Sequence, residues 1–197
     1  MRAFALATLL VFAPAVLPAQ WSLGLGVGIA RYFGATGPAA DSVEGSVHPY
    51  RPTTLSLTVG REWGAGATRL DLGLEYGEPG IAAEIPDGAL IETTAAHYEA
   101  LSPELSIRLA RVGDGGSLRA GVGADLVFWH LTDFDSRMLP GGHASVVYEW
   151  PVGGPFTGSI RAGLSLFPSL FTADELPSDF ERRMMVRPSI AIGLRYR

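Results

Sequence analysis

His143-Ala144-Ser145, followed by Glu149, is where this chain sets a candidate nucleophile, base and carboxylate near one another. A serine hydroxyl becomes nucleophilic when an imidazole takes its proton and a carboxylate orients that imidazole. On a strand, His143, Ser145 and Glu149 share one face, because side chains alternate. Glu149 then stands roughly 13 Å along from Ser145 at ~3.3 Å per residue, too far to orient the base. His48, His97 and His130 stand apart, with no pair at helix or finger spacing for a metal. Gly24-Leu25-Gly26-Val27-Gly28 lacks the GxGxxG spacing and opens no helix, so it cradles no phosphate. The chain has no Cys, which removes disulfides, thiolate zinc sites and cysteine nucleophiles. No cofactor and no metal is expected.

Composition narrows the class. The 197 residues carry 47% hydrophobic and 18% charged side chains, with 25 Gly and 14 Pro. That apolar fraction and a net charge of −5 argue against disorder. All fifteen basic residues are Arg; Lys is absent. A pI near 5.3 argues against a nucleic-acid partner, which calls for a basic face.

The first residues read as an export signal. Arg2 supplies a positive start, Ala3 to Leu17 is an apolar run, and Ala19 suits the last position before cleavage. The expected division is therefore a signal peptide at 1–19 and a barrel domain at 20–197. Leu17 is larger than the small residue usual three positions before the cut, so the bond itself is not fixed. Pro14, Pro18 and the short length disfavour a membrane helix, and no later apolar run reaches 18 residues.

The elements that must position any chemistry are strands, because the period from Trp21 onward is two. Eight segments alternate: 21–32, 55–63, 70–76, 104–109, 118–128, 144–150, 156–166 and 186–196. In the first, Trp21, Leu23, Leu25, Val27 and Ile29 face one way, and Ser22, Gly24, Gly26 and Gly28 the other. Three connections, 64–67, 111–117 and 151–155, are short and rich in Gly or Pro. The other four, near 33–53, 77–97, 131–143 and 168–184, are long. With both termini on one side, every short turn falls there and every long loop falls opposite. The expected fold is all-β, an eight-stranded antiparallel up-and-down barrel that crosses a membrane.

Both a soluble and a membrane barrel alternate, so the non-apolar face must decide. It is mostly Gly, Ala and Ser, which suits the tight interior of eight strands rather than a wet exterior. On the same parity stand Glu62, Asp71, Glu75, Glu104, Asp125 and Glu149, facing Arg108, Arg119, Arg161, Arg187 and Arg195. Buried charges persist when paired, and the rigid Arg fork suits such pairing. Aromatic residues collect at strand ends on the apolar parity. Trp21, Trp63, Trp150, Phe156 and Tyr196 lie on the terminal side, and Phe33, Tyr76 and Phe128 near the loops. Two aromatic bands around an aliphatic middle are what the two bilayer interfaces select.

On these residues the chain resembles the small eight-stranded outer-membrane barrels, the OmpA/OmpX/OmpW-like superfamily, from Trp21 to Arg197. The resemblance implies a bacterial outer-membrane location and contact with lipid or lipopolysaccharide. The last strand, Ser189 to Arg197, is similar to the signal read by the barrel-assembly machinery, with Tyr196 penultimate where an aromatic usually stands last. The barrel reaches the C-terminus, so no peptidoglycan-binding domain is expected after it.

The leading expectation is a non-enzymatic role in envelope structure or surface interaction, through long loops around a filled lumen. OmpW-like passage of small apolar molecules is one alternative. A lipid A deacylase is another, since small barrels of the PagL type use a His-x-Ser pair and a Glu. Against it, Val146 follows Ser145 where that motif has Asn, and the pair lies on the inward parity. A soluble lipocalin-like carrier is a third. The acidic last loop, with Asp174, Glu175, Asp179 and Glu181 before Arg182 and Arg183, is expected to be a solvated surface, with contact to divalent-bridged lipopolysaccharide or a partner as the alternative.

Overall fold

Alternation between bulky aliphatic and small residues leaves each strand with one face for a dry exterior and one for a narrow interior. A computed structural model describes residues 20–38, 45–84, 90–93, 96–132, 135–176 and 180–197. The export signal assigned to 1–19 and Asp179 of the last loop lie outside the described residues. Eight long strands run β1 Gln20–Ala30, β2 Thr53–Trp63, β3 Thr68–Gly77 and β4 Ala96–Val112. They continue as β5 Gly116–Leu131, β6 Arg137–Gly153, β7 Phe156–Phe167 and β8 Met185–Tyr196. Each pairs antiparallel with the next, and β8 closes on β1 through pairs such as Leu25 with Leu194. The eight-stranded barrel anticipated from the periodicity is the fold observed.

The exterior is aliphatic. Leu25 and Val122 are each 64% exposed and Ile29 is 60% exposed. Short turns close the terminal side. In the tightest, Gly64, Ala65 and Gly66 all take positive φ and the Ala67 amide donates to the Gly64 carbonyl at 3.0 Å. Glycine takes such backbone angles at no steric cost, so only Ala65, at φ 53°, is strained.

The loop side departs from expectation in two ways. The connection near 131–143 is short, because β6 already begins at Arg137 and pairs with β5 from Trp129 onward. Pro140-Gly141-Gly142 imitates a turn in the sequence, yet those residues hold strand register opposite Leu126, Asp125 and Ala124. The three remaining long loops are knitted together. Thr36–Pro38 pairs with Phe180–Arg182, and Ser46–Pro49 pairs with Ile81–Glu84, which pairs in turn with Leu90–Thr93.

Beneath these small sheets the inward positions become apolar. Tyr32, Tyr98, Trp129, Leu139, Phe167, Leu170 and Met185 form a buried cluster that stops the loop end of the lumen. Trp129 sits at its centre, with Tyr98 and Tyr32 at ring-centroid distances of 5.1 and 5.7 Å. Truncating a buried aromatic removes transfer energy and leaves a void. Trp129→Ala should cost about 3–5 kcal/mol. The check is the temperature at which the folded form disappears from unboiled samples on a gel; an unchanged temperature would mean the cluster bears no load.

Candidate functional site in the barrel lumen

The lumen below the aromatic cluster holds most of the chain's buried charge, arranged in three tiers. Arg69, 1% exposed, is the hub of the tier nearest the termini. Its guanidinium donates to Asp71 Oδ2 at 2.7 Å, Glu149 Oε1 at 2.5 Å and Glu62 Oε1 at 3.4 Å. Arg195 reaches Asp71 Oδ1 at 2.9 Å and Ser22 Oγ at 2.7 Å. Arg197 meets Glu149 Oε2 at 2.8 Å and Glu62 Oε1 at 3.3 Å. Ser117 Oγ donates to Glu149 Oε2 at 3.2 Å.

Glu104 anchors the middle tier. It accepts from Ser145 Oγ at 2.7 Å, from His143 Nε2 at 3.1 Å and from both terminal nitrogens of Arg161. His143 Nδ1 meets Asp125 Oδ1 at 2.8 Å, and Ser102 Oγ donates to the same oxygen at 2.6 Å. A neutral imidazole has a single N–H, so two carboxylate partners are both satisfied only by the doubly protonated ring. In the uppermost tier Arg187 donates to Glu75 Oε1 at 2.7 Å, and Tyr98 donates to that oxygen at 2.8 Å. The Arg187 guanidinium also lies 5.5 to 5.9 Å from the ring centroids of Phe167, Tyr98 and Tyr32, joining charge to aromatic cap.

Glycine makes room for these groups. A Cβ at Gly121 would stand 2.6 Å from Glu104 Cδ, and one at Gly123 would stand 2.5 Å from His143 Cε1. Among the described residues, the space left includes a cavity of about 100 Å³ touching Asp71, Glu75, Asp125, His143 and Arg187, and a smaller one of about 60 Å³ beside Arg69, Glu149 and Arg195. The larger has room for about three waters at ~30 Å³ each, bounded by the Arg187 tier above and the Arg69 tier below.

Of the inward charges expected from parity, Asp71, Glu75, Glu104, Asp125, Glu149, Arg161, Arg187 and Arg195 all join ion pairs or bonds with these groups. Arg119 is buried but donates to the Gly66 carbonyl at 2.8 Å and to Ser106, with no direct carboxylate bond. Arg108 leaves the network: it stands opposite Arg119 near the end of β4, and its Nη1 donates to the Ala65 carbonyl of the terminal turn at 3.1 Å. Arg69 is the buried cation that the segment bounds leave out. It shares the parity of Asp71 and Glu75, one position before the segment starting at Leu70, and extending the alternation finds it.

The hydrolase arrangement is not assembled. Ser145 donates to Glu104 rather than His143, His143 is held between two carboxylates, and Glu149 is engaged by Arg69, Ser117 and Arg197. All of them face the lumen. His97 and His130, by contrast, face outward on paired strands and stack at 4.6 Å.

The aromatic bands take their places on the exterior. Trp21, Phe33, Tyr76, Phe128, Phe156 and Tyr196 are exposed, while Trp63 and Trp150 are half-buried. Arg61 lies between two of them, 5.3 Å from the Trp21 ring and 5.6 Å from Trp63. Phe156 and Tyr196 meet at 5.5 Å.

Outside the belt, the fourth loop is pinned by one ion pair. Arg137 donates to Glu175 through Nη2 at 2.5 Å and Nη1 at 2.9 Å, and to the Leu170 carbonyl at 2.5 Å. Hydrogen bonds from Arg137, then from Thr172, hold the Glu175 carboxyl at about 2 against an ordinary 4.5. A folded value below the unfolded one means the clamp is complete above about pH 4.5 and lost as pH falls through about 2. Amide protection in residues 168–176, taken relative to the unstructured exchange rate at each pH, should therefore fall across that window in the wild type. In Glu175→Gln that protection should already be low at neutral pH and change little with acidification. Within the lumen, Arg69→Met removes the most buried cation shared by three carboxylates and should cost about 3–5 kcal/mol, read as an earlier loss of the folded gel band.

No family model and no curated protein matches the sequence. Solved structures do share its fold. Neisserial surface protein A superposes with a TM-score of 0.55 at 7% identity, covering 91% of this chain and 98% of its own. A major outer membrane protein from Thermus thermophilus gives 0.55 at 11% identity, covering 90% and 99%. The chain has the fold of these outer-membrane β-barrel proteins.

Proposed function

We propose that this protein is a non-enzymatic barrel of the bacterial outer membrane, with a closed lumen and a folded loop cap that meets partners outside the cell. The observation that carries this reading is that side chains obstruct the interior at three successive levels, leaving only small cavities between them. Arg69 and its carboxylates obstruct the terminal half, the Glu104 tier the middle, and the Trp129 cluster the loop half. Eight strands leave an interior that side chains just fill.

Inside-out polarity supports the membrane. A water-soluble carrier keeps its apolar face within, around a ligand; here aliphatic side chains cover the outside and charges the inside. Interface aromatics bracket that belt, as two bilayer surfaces would require. The outward face of β8, with Ile190, Ile192, Leu194 and Tyr196, is the surface for recognition by the assembly machinery. The loop cap is the surface for extracellular contact, since loops held on a rigid scaffold commonly carry binding.

Two measurements test the reading. Expressed with its leader, the protein should fractionate with outer membranes and migrate faster unboiled than boiled. In a planar bilayer it should give no stepwise conductance; discrete channel events would replace the structural role with a transport one. Lipid A acylation, followed by mass spectrometry, should be the same with wild type and Ser145→Ala. A deacylated species that vanishes with the substitution would make the protein a hydrolase.

A further inference from the structure

The loop-side rim of the exterior carries two arginines that the lumen network does not use. Ladder pairs Ile29 with Thr53 and Gly28 with Thr54 fix the register of β1 on β2. The Ala30 amide extends that register by donating to the Pro52 carbonyl at 3.1 Å. One step further, Arg31 stands opposite Arg51. Cβ atoms of directly opposed residues lie ~4.5–5.5 Å apart. Both residues are exposed and both alternate onto the outward face, since their neighbours Ala30, Tyr32 and Pro52 are buried.

Two like charges in opposed positions repel, and neither guanidinium has a hydrogen-bond or carboxylate partner among the described residues. Each is braced only by a ring: Arg31 lies 4.8 Å from the Phe33 centroid and Arg51 lies 5.5 Å from that of Tyr50. On one side, β8 turns Pro188 and Val186 outward, neither of them charged. On the other, the β2–β3 register sets Glu78 beside Thr53, and the Tyr76 hydroxyl already holds that carboxylate. The pair thus sits immediately above Val27, Ile29 and Leu55 of the aliphatic belt, cationic and with no carboxylate bonded to it among the described residues, in a chain of net charge −5.

A planar guanidinium presents paired donors that fit two phosphate oxygens, and such bonds strengthen where water is partly excluded. We infer that Arg31 and Arg51 form a clamp for the phosphate of an outer-leaflet glycolipid headgroup. Its acyl chains would lie down the Val27–Ile29–Leu55 surface. The inference rests on the membrane reading above, because only a lipid brings its phosphate to the top of that belt. A soluble anion has the same phosphate chemistry, so the test must separate the two.

The full-length mature barrel is refolded into phosphatidylcholine vesicles doped with diphosphorylated lipid A or with the same lipid A after phosphatase treatment. Lipid retained after detergent extraction is counted by native mass spectrometry. The wild type should retain diphosphorylated lipid A about tenfold better than Arg31→Gln/Arg51→Gln, the loss of ~1.4 kcal/mol or more of charge-assisted bonding. Dephosphorylated lipid A should not be retained. Arg111→Gln, another exposed arginine with no bonded partner among the described residues, should behave as wild type. Equal retention by the double variant, or of the dephosphorylated lipid, overturns the clamp. Release of bound lipid A by inorganic phosphate at comparable concentration overturns the lipid and assigns a free-phosphate site. Failure of the wild type to insert and show a heat-dependent gel shift sinks the membrane reading itself. Insertion without phosphate selectivity sinks the clamp alone.

Discussion

A guanidinium enclosed by eight strands must find its counter-charges within the length of its own side chain. Arg69 does so three times over, and the rest of the interior is arranged around that need. Moving an ion of this size out of water costs several kcal/mol even after relaxation, which only close, well-oriented partners offset. Asp71, Glu62 and Glu149 provide them from three different strands. Asp71 is shared with Arg195, and Glu62 and Glu149 with Arg197, so none of these three acids depends on a single cation. Such sharing ties strand register to electrostatics: sliding a strand by one residue would turn its charges toward the aliphatic exterior.

Most of the barrel was legible because its grammar is binary. Each residue faces in or out, and a parity carried through Gly24, Gly26 and Gly28 or through Arg119, Gly121 and Gly123 needs no tertiary knowledge. What failed were places where local signals compete with parity. Pro140-Gly141-Gly142 looks like a turn, so β6 seemed to start later than it does. Arg69 follows directly upon a turn, where the alternating run had not yet declared itself. Arg108 has the expected parity and stands opposite Arg119, but so near the strand end that its side chain reaches the Ala65 carbonyl of the turn. Trp129 and Tyr98 lie on the inward parity as well. A rule that equates that parity with polar residues passes over them, although the upper lumen needs bulk rather than charge.

The pairing of loops was beyond such reading. Thr36–Pro38 and Phe180–Arg182 are far apart in sequence and too short to alternate visibly. Their union depends on barrel closure bringing β1 and β8 together. Likewise the middle tier could be listed but not wired. Parity places His143, Ser145, Glu104 and Asp125 inside, while strand stagger decides that Ser145 meets Glu104 and that His143 spans two acids. A likeness in fold at 7% and 11% identity is consistent with this division. Alternation can be written with many different residues.

Arg187 joins two regions that would otherwise be independent. Its charge is tethered to Glu75 below, and its flat face is covered by Tyr32, Tyr98 and Phe167 above. Lifting the cap would strip that cover and wet a buried ion pair, so the roof cannot open without loosening the storey beneath it. Cap and lumen are therefore one cooperative unit: the molecule behaves as a riveted plug, its roof and the storey beneath it loosening together.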